Sequence, residues 1–173
     1  VLESDVDLDN ETIDPIKVGK RSYFDGQGHT IRNAVIVTDP TTENEAGLFM
    51  ASSCAMRNLV LDNINVTGSN DSTAGVLSGS CNSAVQNITI KNSSVTNGKY
   101  TGGVVGYGYT DVTNCDLEKV TVKGGYKIGG LIGYICSSGN GSGDVKGNSL
   151  TDCDVNGIGG GVYAGGKSEY IIG

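Results

Sequence analysis

The chain has 173 residues and a formal net charge of −7, and it contains 28 glycines but only two prolines. The acidic balance argues against binding to nucleic acid or to an anionic membrane surface, because both need clustered Lys and Arg. Abundant glycine without proline fits a fold with many tight corners better than a disordered linker.

Alternating aspartates stand near the N-terminus, at Asp5, Asp7 and Asp9. The same spacing occurs in calcium-binding loops, but the sixth position of such a loop requires glycine and here is Asn10. We therefore interpret this segment as an edge strand whose acids face solvent and oppose end-to-end pairing with another chain. It lies within residues 1–30, which we interpret as an opening coil or cap, and no metal or cofactor is expected.

A repeat follows, and it is the main signal in the sequence. Five similar segments begin at Ile31, Met56, Val85, Val112 and Val145. From the second segment onward, aliphatic residues recur at fixed offsets, most clearly in two columns: Leu61, Ile90, Leu117 and Leu150, then Val66, Val95, Val122 and Val155. Spacing of two between apolar positions is typical of strands, and a break to three marks a corner.

Asparagine and glycine mark the corners of the repeat. Asparagine tolerates left-handed backbone, and its amide can hydrogen-bond to the next asparagine in a stack. One such column is predicted at Asn33, Asn58, Asn87 and Asn114. A second strand in each unit follows a glycine corner, and the predicted glycine column consists of Gly47, Gly75, Gly103 and Gly130.

These features together predict an all-β protein, a single-stranded parallel β-helix that forms a right-handed solenoid of about five coils. Residues 31–173 form the β-helix repeats and are continuous with residues 1–30 as one domain. A single coil cannot bury its aliphatic side chains alone. The coils stacked above and below it are needed to exclude water from them. A polar residue in the column of Leu61 should therefore cost several kcal/mol.

Over nearly its whole length the chain resembles bacterial GLUG-motif β-helix repeats. The resemblance is carried by residues 24–33 (FDGQGHTIRN) and by the two segments 103–107 (GVVGY) and 130–134 (GLIGY). It implies an exported protein of the bacterial cell surface, with a scaffold or adhesive role. It implies no catalytic residues, because the motif itself is structural.

Tyrosines are the most distinctive candidate surface feature. Tyr107 and Tyr134 occupy the same place in neighbouring units, with Tyr100, Tyr109 and Tyr126 close by. Flat aromatic side chains with a polar tip are common in recognition surfaces, including those for sugars. The alternative is an aromatic ladder that stiffens the coil, and the sequence leaves both interpretations open.

Two functions from different classes fit this sequence. The leading hypothesis is a non-catalytic extracellular module, a scaffold or adhesin within a larger chain or assembly, that binds a glycan or a host or bacterial surface protein. The alternative is a β-helix carbohydrate-active enzyme, a polysaccharide lyase or hydrolase, whose candidate carboxylates are Asp116, Glu118, Asp152 and Asp154. His29, the only histidine, is interpreted as a corner residue rather than a catalytic base.

The five cysteines are an odd number and show no CxxC spacing. We interpret them as small buried side chains or free thiols. A bridge between Cys54 and Cys81 in neighbouring coils is the one disulfide considered. No stretch approaches the roughly 18 apolar residues that predict a membrane helix, so membrane insertion is not expected.

Overall fold

The computed structural model describes residues 1–19, 22–38, 44–50, 53–136 and 143–157. Within these ranges every regular element is a β-strand, which confirms the all-β prediction. None of the described residues belongs to a helix long and apolar enough to cross a lipid bilayer. The strands are β1 (Val6–Thr12), β2 (Ile16–Lys17), β3 (Tyr23–Asp25), β4 (Thr30–Val37), β5 (Glu45–Ala46), β6 (Phe49–Met50), β7 (Ala55–Thr67), β8 (Thr73–Gly75), β9 (Ser78–Ser80), β10 (Val85–Lys91), β11 (Ser94–Gly102), β12 (Val105–Gly108), β13 (Val112–Thr113), β14 (Asp116–Glu118), β15 (Thr121–Gly129), β16 (Ile132–Ile135), β17 (Val145–Lys146), β18 (Ser149–Thr151) and β19 (Asp154–Gly157).

The strands form two parallel sheets that run along the stack of coils. The larger sheet has 14 strands, with β17-β13-β10-β7-β11-β15-β19 as its main path, and the smaller one has the order β16-β12-β9-β6-β2. Each strand pairs with the strand that follows it by about one repeat, as β4 does with β7 and β10 with β14. The chain is therefore a parallel β-solenoid of about five turns, as predicted, while its right-handed winding stays a prediction.

Aliphatic side chains stack in register along the axis. Leu61 pairs with Ile90, Ile90 with Leu117, and Leu117 with Leu150, as predicted. Ile31 extends this column at its N-terminal end. The three central members are 0–1% exposed, and burying one such side chain stabilises the fold by about 1.5–3 kcal/mol. The predicted valine column is also confirmed, with Ile36 added before Val66.

Each coil has two left-handed corners, and this overturns one part of the predicted asparagine column. Asn58, Asn87 and Asn114 do share the first corner, with φ between 52° and 53°. Asn33 does not lie over Asn58, because Ile31 pairs with Leu61 and thus brings Asn33 over Asn63 at the second corner. The prediction was wrong for Asn33 because both corners carry asparagine, five residues apart.

Side-chain amides link the corners from coil to coil. The amide of Asn87 donates to Asn58 over 3.0 Å, and that of Asn58 donates to the carboxylate of Asp25 over 3.1 Å. At the second corner Asn63 donates to Asn33 over 2.8 Å. Each ladder therefore runs in one direction, with every amide donating toward the N-terminal end of the stack.

The ladder through Asn33 ends on Asp7. Its carboxylate accepts hydrogen bonds from the Asn33 amide at 2.8 Å, from the backbone N–H of Asp9 at 3.0 Å and from Arg32 at 2.8 Å. These bonds, led by the one from Asn33, lower the pKa of Asp7 to about 2, because they favour the ionised form. Asp7 thus stays exposed, as predicted, but its carboxylate is tied to the next coil.

The predicted glycine column is correct at two of its four positions. Ala46 pairs with Ala74, so Gly47 lies over Gly75, and Gly75 pairs with Gly102. Gly102 in turn pairs with Gly129, so the column is continued by the glycines that precede Gly103 and Gly130. The last two predicted members were therefore wrong by one residue. At each of the last two corners two glycines stand side by side, and the sequence alone does not show which of the two belongs to the column.

A second glycine column, at Gly79, Gly106 and Gly133, lies where the two sheets meet back to back. A Cβ atom at Gly106 would lie 2.5 Å from the backbone nitrogen of Ala74 and 2.8 Å from its carbonyl oxygen. At Gly133 it would lie 2.5 Å from the backbone nitrogen of Thr101. These distances are shorter than van der Waals contact. Glycine is therefore required here for β9, β12 and β16 to approach the backbone of the larger sheet.

All five cysteines are free thiols. The bridge considered between Cys54 and Cys81 is not formed; the Cys81 sulfur instead lies 4.0 Å from the backbone oxygen of Cys54. Both side chains are buried within the apolar core. Burial raises the pKa of the Cys81 thiol, as expected for a side chain that acts as a small hydrophobic residue.

Candidate functional site: a tyrosine–lysine face

Aromatic side chains gather where β11 and β15 of the larger sheet lie beside β12 and β16 of the smaller one. Tyr100 on β11 pairs in register with Lys127 on β15. Tyr107 on β12 pairs in register with Tyr134 on β16. Because the glycine column at Gly106 lets the two sheets approach closely, the tyrosines of both sheets meet at one edge of the solenoid.

Four tyrosine rings contact one another at this edge. The ring of Tyr100 lies 5.8 Å from that of Tyr107, with 25° between the ring planes. It also lies 5.1 Å from the ring of Tyr134 and 6.1 Å from that of Tyr126. The rings of Tyr107 and Tyr134 are 5.6 Å apart. Such offset and tilted pairs add about 0.5–1.5 kcal/mol each beyond the area they bury.

Two lysines complete the cluster. The Lys127 ammonium lies 3.3 Å from the ring centre of Tyr134 and 5.8 Å from that of Tyr100. The Lys99 ammonium lies 5.7 Å from the ring centre of Tyr100. A cation held over an aromatic ring gains about 0.5–1 kcal/mol at an exposed site. We call the set consisting of Tyr100, Tyr107, Tyr126, Tyr134, Lys99 and Lys127 the tyrosine–lysine face.

The face is partly open to solvent. Tyr126 is 54% exposed and is the most accessible of its rings. Tyr100, Tyr107 and Tyr134 are half-buried by their contacts with one another. The face therefore combines the two interpretations that the sequence left open, because the stacked rings fix one another and still present ring surface and charge outward.

Cys136 lies against the face, and no sequence argument singled it out. Hydrogen bonding between the Tyr107 hydroxyl and the Cys136 sulfur raises the pKa of Tyr107 to about 12 and lowers the pKa of Cys136. Tyr109 and the charge of Lys127 also lower the pKa of that thiol. The Tyr109 hydroxyl is buried beside this thiol.

Four of the five predicted tyrosines are thus brought together, whereas Tyr109 makes no ring contact with the others among the described residues. The two lysines were missed as members of the site. The sequence does contain a signal for them, since Lys99 precedes Tyr100 and Lys127 follows Tyr126 in neighbouring units. Only the register between β11 and β15 shows that both lysines lie near the Tyr100 ring.

The acidic residues considered for an enzyme lie on two neighbouring coils, at β14 and around the start of β19. Asp116 and Glu118 are exposed on β14, and Asp116 accepts a hydrogen bond from the Ser149 hydroxyl. Asp152 lies at a left-handed corner with φ of 53°. Asp154 follows that corner on β19 and pairs with a lysine, Lys123, over 3.6 Å. Across the described parts of the chain, no group of three His, Cys, Asp or Glu side chains is placed to hold a metal ion.

The histidine lies at the first corner, as predicted. Its Nδ1 atom is 3.2 Å from the carboxylate of Asp5, which also accepts the backbone N–H of Thr30 at 2.9 Å. These contacts tie the N-terminal segment to the start of β4. His29 therefore has a structural role in joining the first two coils.

Comparison with known proteins gives one partial similarity. No family model matches the chain, and no solved structure matches it. The chain is 35% identical over 85 residues to Halomucin of Haloquadratum walsbyi, a match that covers 48% of this chain and 1% of Halomucin. The chain thus spans a very small part of that protein, and the match does not show a family.

Proposed function

We propose that this chain is a non-catalytic module of an extracellular surface protein, a scaffold or adhesin whose solenoid presents the tyrosine–lysine face to a glycan or a protein. The observation that carries the proposal is the cluster of four tyrosine rings on the edge of the stack, in which four pairs of ring centres lie 5.1–6.1 Å apart. Clustered tyrosines supply a large, rigid contact area that loses little conformational entropy on binding.

A glycan suits this face better than a second folded protein. Sugar rings present apolar C–H faces and polar rims, which match aromatic faces and phenolic hydroxyls. Parallel strands repeat at about 4.8 Å along the stack, so Tyr107 and Tyr134 offer ring surface at adjacent levels of the solenoid. An extended chain of sugars can contact several levels at once, and individually weak contacts then add to useful affinity.

Two lines of support favour an extracellular location. The partial match to a protein named Halomucin is one, because a mucin by its name is a secreted protein that covers surfaces. The resemblance of residues 103–107 and 130–134 to GLUG-motif repeats is the other, and it carries the further proposal of a bacterial cell surface. A rigid rod of stacked coils is well suited to holding a binding face away from a cell.

A glycan array probed with the wild-type protein and with Tyr126→Ala tests the proposal. We expect the wild type to bind a subset of glycans and the variant to lose roughly tenfold in affinity, since truncating an exposed aromatic contact costs about 1–2 kcal/mol. Tyr23→Ala is the matched control, because Tyr23 is 64% exposed on β3 and lies outside the face.

Three results would contradict the proposal. One is the absence of binding to every glycan and to every surface protein offered. Another is an equal loss of affinity in the Tyr23 and Tyr126 variants, which would place binding elsewhere. The third is cleavage of an acidic polysaccharide, with or without calcium, that is abolished by Asp116→Ala, because turnover would make the chain an enzyme.

A further inference from the structure

We infer that the tyrosine–lysine face takes a carboxylate-bearing polysaccharide, such as a chain of uronic acid residues, rather than a neutral glycan. This inference rests on the proposed function and names its ligand class. It starts from the charge of the face, which is opposite in sign to that of the whole chain. The chain has 12 Lys and Arg against 19 Asp and Glu, yet the charged members of the face are Lys99 and Lys127.

Five cations of the described structure are paired with acids. Ion pairs join Arg32 to Asp7, Arg57 to Asp25, Lys119 to Glu118, Lys123 to Asp154 and Lys146 to Asp144. Lys99 instead contacts an aromatic ring, and among the described residues no carboxylate lies within ion-pair distance of its ammonium group. The positive charge of Lys99 is therefore not cancelled by a neighbouring acid.

Lys127 is held in a defined position. Its ammonium group lies 3.3 Å from the ring centre of Tyr134 and 5.7 Å from that of Tyr126. Aromatic contacts do not neutralise the charge, but they restrict the rotamers of a side chain that is otherwise flexible. Because that entropy is already lost, a carboxylate that reaches Lys127 meets a preorganised cation, and binding costs less.

The two ammonium groups lie near one ring. Both are within 5.8 Å of the centre of the Tyr100 ring, so a sugar bound beside this ring has two cations within reach. Regularly spaced acidic groups along one polysaccharide chain match this arrangement. The ligand chemistry is further narrowed by the absence of arginine from the face, since the guanidinium fork is the side chain best suited to bidentate contact with phosphate and similar oxyanions.

The test compares polygalacturonate with its fully methyl-esterified form, which keeps the sugar backbone and removes the charge. Binding is measured by isothermal calorimetry at low salt. Each exposed ammonium–carboxylate contact contributes up to about fivefold in affinity, so the loss of two such contacts should weaken binding of the ester by up to about 25-fold. Raising the salt concentration should weaken binding to the acid and leave binding to the ester unchanged.

Single substitutions test which lysines contact the carboxylates of the polysaccharide. Lys127→Met keeps the apolar stem, and with it the ring contacts, but removes the cation, so we expect about a fivefold loss for the acid and none for the ester. Lys99→Met should act in the same way. Lys91→Met is the matched control, because Lys91 lies on β10 between Asp62 and Glu118, outside the face.

Each other outcome decides against the inference. Equal affinity for polygalacturonate and its ester, or binding to dextran sulfate without binding to polygalacturonate, would overturn the carboxylate assignment and leave the proposed glycan-binding function standing. An equal loss in the Lys91 and Lys127 variants would show a general charge effect and would overturn it as well. The absence of binding to any glycan would overturn the inference together with the glycan part of the proposed function.

Discussion

Replacing Gly106 by alanine tests whether the two sheets lie back to back as described. The added Cβ would lie 2.5 Å from the backbone nitrogen of Ala74, 2.7 Å from the carbonyl oxygen of Gly79 and 2.8 Å from that of Ala74. Ordinary contacts of carbon with such atoms are about 3.5 Å, so the sheets must part by the order of 1 Å. All three atoms belong to backbone in sheet strands, and no flexible side chain can give way.

We expect Gly106→Ala to lower the free energy of unfolding by about 3 kcal/mol, the upper end for overpacking. At about 2–4 °C per kcal/mol for a chain of this size, the melting temperature should fall by roughly 6–12 °C. Gly125→Ala makes the same chemical change on β15, where the nearest atom to the new Cβ is 3.7 Å away. That variant should gain about 0.4–1 kcal/mol through its less flexible unfolded state.

Thermal unfolding followed by far-UV circular dichroism measures both variants. A fall for Gly106→Ala with no fall for Gly125→Ala supports the close approach of β12 to the larger sheet. Equal melting temperatures for the two variants would refute it, because the same methyl group would then be tolerated at both positions. The tyrosine–lysine face depends on this approach, so its geometry would have to be revised too.

Three further predictions concern the core, the N-terminal ladder and the thiols. Leu117→Asn should cost about 3–5 kcal/mol in urea unfolding, because it leaves a cavity and a buried amide, whereas Leu117→Met should cost under about 1.5 kcal/mol; equal costs would contradict the axial column. The pKa of Asp7 is about 2 in the folded chain against an ordinary 3.8, so its contribution to stability is present above 3.8 and is lost as the pH falls toward 2. Asp7→Asn should therefore flatten the acid end of the stability profile, and an unchanged profile would contradict the ladder. Iodoacetamide should modify Cys136, whose pKa is lowered, before Cys115, whose pKa burial raises to about 11; mass spectrometry showing the reverse order would contradict this.

The axial core could be predicted from sequence because its signal is redundant. Leu61, Ile90 and Leu117 recur with strand alternation on both sides, and a shift of one residue would turn each of them toward solvent. Only one alignment of the central units is therefore consistent with a dry interior. The structure confirms that alignment from β7 to β18.

The corners could not be assigned with the same certainty because their residues are not unique. Asn33 follows an apolar residue and a charged one, as both Asn58 and Asn63 do. Residues 26–29 also make this corner longer than the one above it. Four residues separate Asp25 from Thr30, whereas only two separate their partners Arg57 and Val60 on β7. These extra residues shift the correct alignment of the segment at Ile31 with later units, and the apolar pattern of the sequence shows no break that would reveal the shift.

The candidate site was only half predictable for a related reason. Tyr107 and Tyr134 stand at equivalent places in two similar segments, so their stacking follows from the repeat. The contact of Tyr100 with Tyr107 joins two different sheets, and it depends on how closely those sheets approach. That distance depends on glycines such as Gly106. The sequence does not show why glycine is required there, because the reason is the nearby backbone of the other sheet.

The asparagine ladders also give the stack a chemical polarity. Asn58 and Asn33 each donate an N–H group toward the N-terminal end and accept at the oxygen from the following coil, so the group at the start of each ladder has only to accept. An ionised carboxylate is acceptor-only, and Asp25 and Asp7 occupy those positions below Asn58 and Asn33. Each also binds the arginine of the next coil, Arg57 and Arg32. The pattern of Asp in one coil and Arg-Asn in the next therefore marks the N-terminal start of a ladder, and the sequence places it once at each of the two corners.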